Sequence, residues 1–520
     1  MMKFINASII LLFFIFLFSA CSDVLNNGEA LQPESPEGQI NAKGNPASTN
    51  VNFQYRSTIN VGGEGSAEIS AYDESTQKLF VVNVESSEIS VFTLTDLDNP
   101  IEETPISVSG FGVPNSVAVN NGLLAVAVEA PVKQDPGFVL VFNTGDLSQV
   151  GDYEVGALPD MVTFTKNGQL ILSANEGEPN DDYTVDPLGS VSIINLKNDD
   201  VTTLDFTAFN GEQEALEERG LRVFGPGATL AQDVEPEYIA ISENSRIAWV
   251  SLQENNGIAR VNIRTKTIEA IYPLGFKDYS LPENSLDASD RDGVKELKNW
   301  PVFGMYQPDA IVSAKIKGKD YIFSANEGDA RDYDGFSEEE RIDDLTLDST
   351  VFPNAATLQQ DENLGRLEIT TTLGDTDNDG EYEQLYSYGA RSFSVWSPFG
   401  DLLYDSGNGI AAETLAQTPG RFNDDDGRSD AKGAEPEAVE ILNMGGQRHI
   451  LFVGLERNDQ ILVYDVSNPL APEFLSILSN PGDEAPEGVL AVPAKESPTG
   501  RDLLIVSYED SGTISFFENF

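Results

Sequence analysis

The sequence predicts an all-β chain: a seven-bladed β-propeller closed by an N-terminal strand, with long loops on one face. An internal copy, a recurring four-strand grammar and a spare strand that matches a missing one predict it. Ser173-Ala174-Asn175-Glu176-Gly177-Glu178 has a twin in Ser324-Ala325-Asn326-Glu327-Gly328-Asp329. Each copy follows a short apolar run and then turns acidic. Self-similarity at a distance is the mark of a repeat architecture.

Taken in order, every unit shows the same pattern. A small-polar or Pro-acidic step opens it, an alternating apolar strand follows, and a second apolar strand runs on to a glutamate. The openings and glutamates are Glu68 and Glu85, Asn115 and Glu129, Asp160 and Glu176, and Glu237 and Glu254. Asp309 and Glu327, Glu437 and Glu456, and Glu487 and Glu509 complete the series. The separation runs only from fourteen residues (Asn115 to Glu129) to twenty-two (Glu487 to Glu509). A third alternating strand, such as 257–263, and a more polar fourth close the unit. Repeated four-strand units are a propeller signature. After Glu509 only one strand remains, while 53–61 supplies an extra strand before the first unit. Pairing the two closes the ring and removes exposed edges. Two separate β-sandwiches would not explain that match.

The N-terminus reads as a lipoprotein signal peptide over residues 1–20. Lys3 precedes the apolar run 9–18, then Ser19-Ala20-Cys21. A basic start, an apolar core and small residues at a cleavage point make an export signal. Cys21 is the single cysteine, and the segment resembles a lipobox, with Phe18 where leucine is usual. The resemblance implies lipidation of Cys21, and residues 21–50 are rich in Asn, Gly, Ser and Pro, as a flexible tether is. Residues 51–520 form the propeller. These features place the protein in a bacterial cell envelope, lipid-anchored at the outer membrane or cell surface.

Asp and Glu number 86 against 31 Lys and Arg, a net charge of −55. Such a chain does not bind nucleic acid, and it meets a membrane through its anchor only. It favours divalent cations with oxygen ligands, calcium above all. Strand directions alternate within a blade, so the opening step and the glutamate after the second strand ring one mouth. The long segments 176–189, 207–234, 275–307, 328–390 and 406–435 open on that same face. The candidate metal ligands there are Asp160, Glu176, Glu178, Glu237, Glu254, Asp309, Glu327, Asp329, Glu437, Glu456 and Glu487. The alternative role for such glutamates is to lock neighbouring blades together through backbone N–H bonds.

Asp375, Asp377 and Asp379 alternate before Gly380, as in the first half of an EF-hand loop, but Tyr386 stands where the closing glutamate belongs. The segments 287–293 and 423–427 are weaker signals of the same kind. His449 is the single histidine and starts a buried-looking strand, which argues against a Ser-His-Asp triad or a histidine-rich zinc site. Arg331, Arg391, Arg428, Lys432 and Arg457 fall near the acidic loops. They can either receive a phosphate ester or pair with the acids.

The segments SANEGEPNDDYTVDPLGSVSIINL, FGPGATLAQDVEPEYIA, FGMYQPDAI, SANEGDARDY, LGDTDNDG, GARSFSVW and KGAEPEAV resemble the choice-of-anchor I domain family over roughly residues 53–520. That family includes bacterial surface proteins and is similar to the mesenchyme-specific cell surface glycoproteins of animals. The resemblance implies surface attachment by varied devices. Some members are described as alkaline-phosphatase-like, and animal relatives are linked with calcium biomineral. The expected function is binding of a surface glycan, protein or mineral ion at a calcium-bearing acidic face. The alternative is a calcium-dependent phosphoesterase at the channel mouth.

Overall fold

The computed structural model describes residues 51–520; the signal, Cys21 and the tether lie outside the described residues. The chain is all-β with few, short helices, and its strands form antiparallel sheets of the repeat type. The third sheet is representative. Pro159–Phe164, Leu170–Asn175, Ser190–Asn195 and Asp200–Asp205 pair in sequence order. The fourth sheet (from Pro236–Ile241) and the sixth (from Pro436–Gly445) do the same. The second runs in that way from Val113–Asn120. The fifth starts at Ile311–Ile316 and is interrupted before Ser392–Trp396. In the first, Ser70–Asp73, Lys78–Asn83 and Glu88–Thr93 are followed by two short strands.

The seventh sheet contains Pro486–Val492, Leu503–Tyr508 and Thr513–Asn519, and its outer strand is Phe53–Asn60. The spare strand therefore pairs where the last unit lacks one.

Second strands are buried on both faces. Lys78–Asn83 and Leu503–Tyr508 are buried at every position, because each sheet is covered by a neighbour on either side. The core is divided accordingly. Phe80 and Val82 pack with Leu124 and Val126 between the first and second sheets. Phe323 and Phe393 pack with Leu451 and Leu462 between the fifth and sixth. Leu503, Ile505 and Phe516 of the seventh meet Leu79, Val81 and Phe92 of the first. Each such side chain contributes roughly 1.5–3 kcal/mol by leaving water. The first strands also touch in sequence order, and Pro486–Val492 touches Ser70–Asp73.

The insertions correct the reading of 275–307 and 328–390 as loops. They fold together into an additional five-stranded sheet that includes Phe276–Asp278, Phe303–Met305 and Glu368–Thr370. Phe303–Met305 pairs in parallel with Tyr386–Ser387. Its separate core gathers Tyr279, Ile342, Leu364, Leu367, Ile369 and Leu385. Strands of two or three residues leave no alternation to read in a sequence.

Candidate metal centre

The Pro-acidic step owes its geometry to two local devices. Proline opens the first strand of the third, fourth, sixth and seventh sheets, where its missing N–H costs no ladder bond, and Pro308 precedes that of the fifth. The residue before it holds a positive φ in four units: Leu158 (48°), Gln307 (42°), Glu435 (50°) and Ala485 (59°). The register then slips beside the acid. Pro159 faces Asn175 but Val162 faces Ser173, and the same irregularity follows Pro236, Pro436 and Pro486. A bulge of this kind re-aims one side chain.

The acids of these steps converge. Asp160, Glu237, Asp309, Glu437 and Glu487 line one cavity of about 310 Å³, together with Glu176, Glu327 and Asp329. Apolar residues just beyond the acids, among them Ile69, Met161, Tyr238, Val439 and Val489, also line it. Among the described residues, Asp160, Glu176, Glu237, Asp309, Glu437 and Glu487 have side chains with neither an ion pair nor a protein hydrogen-bond donor. Glu237 is only 8% exposed, and its Oε2 is buried without a partner. The Oε2 atoms of Glu437 and Glu487 share that condition.

Burial and mutual repulsion raise the pKa values of these groups. Burial, then the charges of Glu178 and Glu129, push Asp160 up to about 7 despite Lys133. Glu176, Glu237, Asp309, Glu437 and Glu487 rise well above the carboxylate range, each through burial first and neighbouring acids second. A concave set of unpartnered carboxylates holds either protons or cations.

The remaining predicted ligands are placed differently. Glu327 accepts from Lys432 Nζ at 2.7 Å and from Gln253 at 3.0 Å. Asp329 lies 3.6 Å from the same Nζ. Glu178 is 3.7 Å from Lys133. Glu254 is buried with Oε2 unpartnered, does not line the cavity, and is carried by burial up to about 7 against the pull of Arg331. Glu456 pairs with Arg457 at 2.8 Å. Its carboxylate oxygen lies within 4.8 Å of those of Glu327 and Glu435. Glu68, Glu487 and Glu509 form a similar trio between the first and last sheets. Burial, followed by Glu509 and Asp160, pushes Glu68 up to about 8.

In the insertion, Asp375, Asp377 and Glu383 bring carboxylate oxygens within 4.8 Å of one another. Asp379 stands outside that trio, accepting from the Glu381 N–H. Of the weaker segments, Asp287 accepts the Glu296 N–H and Asp425 pairs with Lys295.

The cations near the mouth are spent on protein partners. Arg331 bridges Asp233 at 2.8 Å and Glu235 at 2.9 Å. Arg391 donates to the Asp287, Ser429 and Ala431 carbonyls. Arg428 and Arg457 both hold Glu435. His449 is buried, with Nδ1 3.3 Å from the Gln447 carbonyl.

The twin motif has a second purpose that its acids conceal. Asn175 Nδ2 donates to Ser190 and Ser192 hydroxyls, and Asn326 Nδ2 to those of Ser392 and Ser394. The following Gly177 and Gly328 have positive φ (73° and 94°). A Cβ would lie 2.8 Å from the Leu188 oxygen in one copy and 2.1 Å from the Gly389 nitrogen in the other. Only glycine lets the returning chain approach so closely. The serines at alternate third-strand positions were the available signal.

The choice-of-anchor I domain profile matches residues 68–469. The chain belongs to the choice-of-anchor I family. Gigasin-3a of Magallana gigas is 33% identical over 189 residues, covering 31% of this chain and 66% of that protein. The mesenchyme-specific cell surface glycoprotein of Strongylocentrotus purpuratus is 24% identical over 375 residues, covering 61% of this chain and 46% of that protein. The family chain described here thus spans about half to two thirds of these relatives' length. Among solved structures, Kuenenia stuttgartiensis hydrazine synthase aligns over 88% of this chain and 96% of its own, at 10% identity and TM-score 0.47. The Cps50 (Swd1) β-propeller domain of Myceliophteria thermophila aligns over 90% and 100%, at 8% identity and TM-score 0.45.

Proposed function

We propose that this choice-of-anchor I protein is a seven-bladed propeller, held at the bacterial cell surface by lipidated Cys21, whose acidic cavity binds calcium. Through the bound cation it engages a surface glycan, protein or mineral ion. The ring reading is supported by core clusters between successive sheets and by Phe53–Asn60 completing the last sheet. The surface placement is supported by family membership and by the cell-surface relative.

One observation carries the cation reading. Six carboxylates face one cavity without a protein cation or donor, and Glu237 keeps a deeply buried, unpartnered oxygen there. Calcium suits them because it accepts roughly 6–8 oxygens in irregular geometry, whereas magnesium demands a tight octahedron. Asp160, Glu176, Glu237, Asp309, Glu437 and Glu487 would hold it; Asp375, Asp377 and Glu383 are a second, partly exposed candidate. The pairing of Arg331, Arg391, Arg428, Lys432 and Arg457 with protein groups favours binding over phosphate-ester hydrolysis.

The test is calcium titration of the full-length protein in detergent by calorimetry, against magnesium and sodium. Saturable calcium binding that magnesium does not match is expected. Heats indistinguishable from buffer would end the reading.

A further inference from the structure

The sheets have two unlike ends. The acids that open the first strands line one cavity at the first end. At the other end the chain turns from first strand to second and from third to fourth. Ser242, Lys319, Phe399 and Leu470, from the fourth, fifth and sixth sheets, share a groove at that far end. Val119, Lys166 and Leu490, from the second, third and seventh, share another. The Asn167 N–H, donating to Ser245 Oγ at 3.2 Å, joins the two groups. The described chain also begins at this end. Pro486, beside Glu487, faces Tyr508, while Phe53 pairs with Asn519 at the opposite limit of the seventh sheet.

Charge is divided between the ends. At the acidic end Arg331, Arg428, Lys432 and Arg457 are held in ion pairs. At the far end the exposed Lys166, Lys197, Arg246 and Arg264 occupy turns of the third and fourth sheets. Exposed Lys315, Lys317 and Lys319 crowd one turn of the fifth. None of these seven has an ion-pair partner among the described residues. The acids beside them are Asp199, Asp200, Glu243, Glu269, Asp320 and Asp401, and Lys266 and Arg260 already hold Asp200 and Glu269.

The same region bares apolar groups. Phe399 is 62% exposed and Leu470 55%. With Ile247, Tyr321 and Leu403 they line the groove, about 560 Å³ in volume. The Arg260 guanidinium carbon lies 5.8 Å from the centre of the Phe399 ring. Bare apolar side chains among cations mark an interaction surface, and an anionic lipid bilayer satisfies both kinds of group.

We infer that the far end of the fourth and fifth sheets docks on anionic lipid headgroups, through Lys315, Lys317 and Lys319 and the rim formed by Phe399 and Leu470. The acidic cavity is thereby turned away from the membrane. The inference rests on the lipid-anchor reading for its nearness to lipid and is independent of the cation reading. Net charge alone would keep so acidic a chain off an anionic surface; exposed Asp96 and Asp146 of the first and second sheets confine the contact to the basic side. About thirty residues separate Cys21 from Val51, a linker spanning roughly 30 Å. Such a linker makes the contact intramolecular, so a modest patch suffices.

The experiment places a dye on either end of the full-length lipidated protein in vesicles of phosphatidylglycerol and phosphatidylcholine. Cys21 is the single cysteine, so once it is lipidated an introduced cysteine is the one free thiol. Asn244→Cys labels the groove and Asp182→Cys the acidic end. Nitroxide-headgroup lipids are expected to quench the dye at 244 and spare the one at 182. K315E/K317E/K319E, or about 1 M salt, which shortens screening to about 3 Å, should remove most of that quenching. Equal quenching at both positions overturns the proposal, as does quenching at 244 that survives both the triple variant and salt. Absent quenching at 244 also overturns it, and dimers of the Cys21→Ser chain in size-exclusion chromatography would then make the groove a contact between copies. If the wild-type protein fails to float with pure phosphatidylcholine vesicles, the anchor reading fails instead. Flotation with phosphatidylglycerol vesicles then decides the patch alone: binding lost in the triple variant sustains it, and no binding overturns it.

Discussion

Phe53 lies opposite Asn519, so the first described strand and the last form one antiparallel pair. The first and last described strands are thereby fastened in a single sheet. Phe53 is 6% exposed, and its ring meets Phe452 edge-on at 5.1 Å. Phe53→Ala removes that contact and leaves a cavity, which costs about 3–5 kcal/mol. A lower urea midpoint is expected. Deleting residues 51–60 bares the edge of Thr513–Asn519 and should produce aggregates in size-exclusion chromatography, because unpaired edges recruit other strands. An unchanged midpoint and a monodisperse deletion variant would refute the fastening role.

The acidic cavity gives the chelated protein an inverted pH profile. Burial lifts Asp160 to about 7 and both Glu68 and Glu456 to about 8. A carboxyl raised on folding binds more protons in the native than in the unfolded state between those values and its ordinary range. Stability therefore falls as pH rises through that window. Thermal unfolding in chelator should occur at lower temperature at pH 8 than at about pH 5. Calcium substitutes for the protons, so it should flatten the profile and release protons on binding. A chelated protein that grows more stable with rising pH would contradict this account.

The openings of the units were legible because proline and an acid recur beside an alternating strand. Bulges then aim Asp160, Glu237, Glu437 and Glu487 into one space, which the repeat alone implies. Other roles were hidden by sequence distance. Lys432 meets Glu327 from 105 residues away, and nothing local distinguishes it from a solvent-facing lysine. The accessory sheet was hidden because its strands are too short to show a period. The twin motif drew attention to its glutamates, while Asn175 and Asn326 fasten the second strand to third-strand serines. Asn326→Ala leaves the Ser392 and Ser394 hydroxyls without that donor. It should cost about 1–3 kcal/mol in urea unfolding, while Asn326→Asp, which cannot donate there, should not rescue it.

Cys21 lies outside the described residues, yet its expected role is directly testable. One acylated cysteine after an apolar export segment would hold the protein by roughly 0.8 kcal/mol per buried methylene. Cys21→Ser should move the protein from the membrane fraction to the soluble one without changing the unfolding midpoint of the propeller. Identical partitioning of variant and wild type would rule out the lipid anchor.

Arg331 ties the 328–390 insertion to the segment leading into Pro236–Ile241. Its side chain is 1% exposed, and the guanidinium meets Asp233 and Glu235. It also donates to the Asp233 carbonyl at 2.6 Å and lies 4.5 Å from the centre of the Phe224 ring. Nearby, Arg222 pairs with the fully buried Glu338 of the 328–390 segment. Arg331→Met keeps the bulk but leaves Asp233 and Glu235 buried without their shared cation. Breaking a buried pair from one side costs about 3–5 kcal/mol. Arg331→Lys should recover only part of this, since a point charge cannot serve two carboxylates and a carbonyl from one plane. Urea unfolding would report the loss, and limited proteolysis should show earlier cleavage within 328–390 than in the sheets. If the methionine variant matched wild type in both measurements, the insertion would be held by its own apolar core, and Arg331 would be incidental to it.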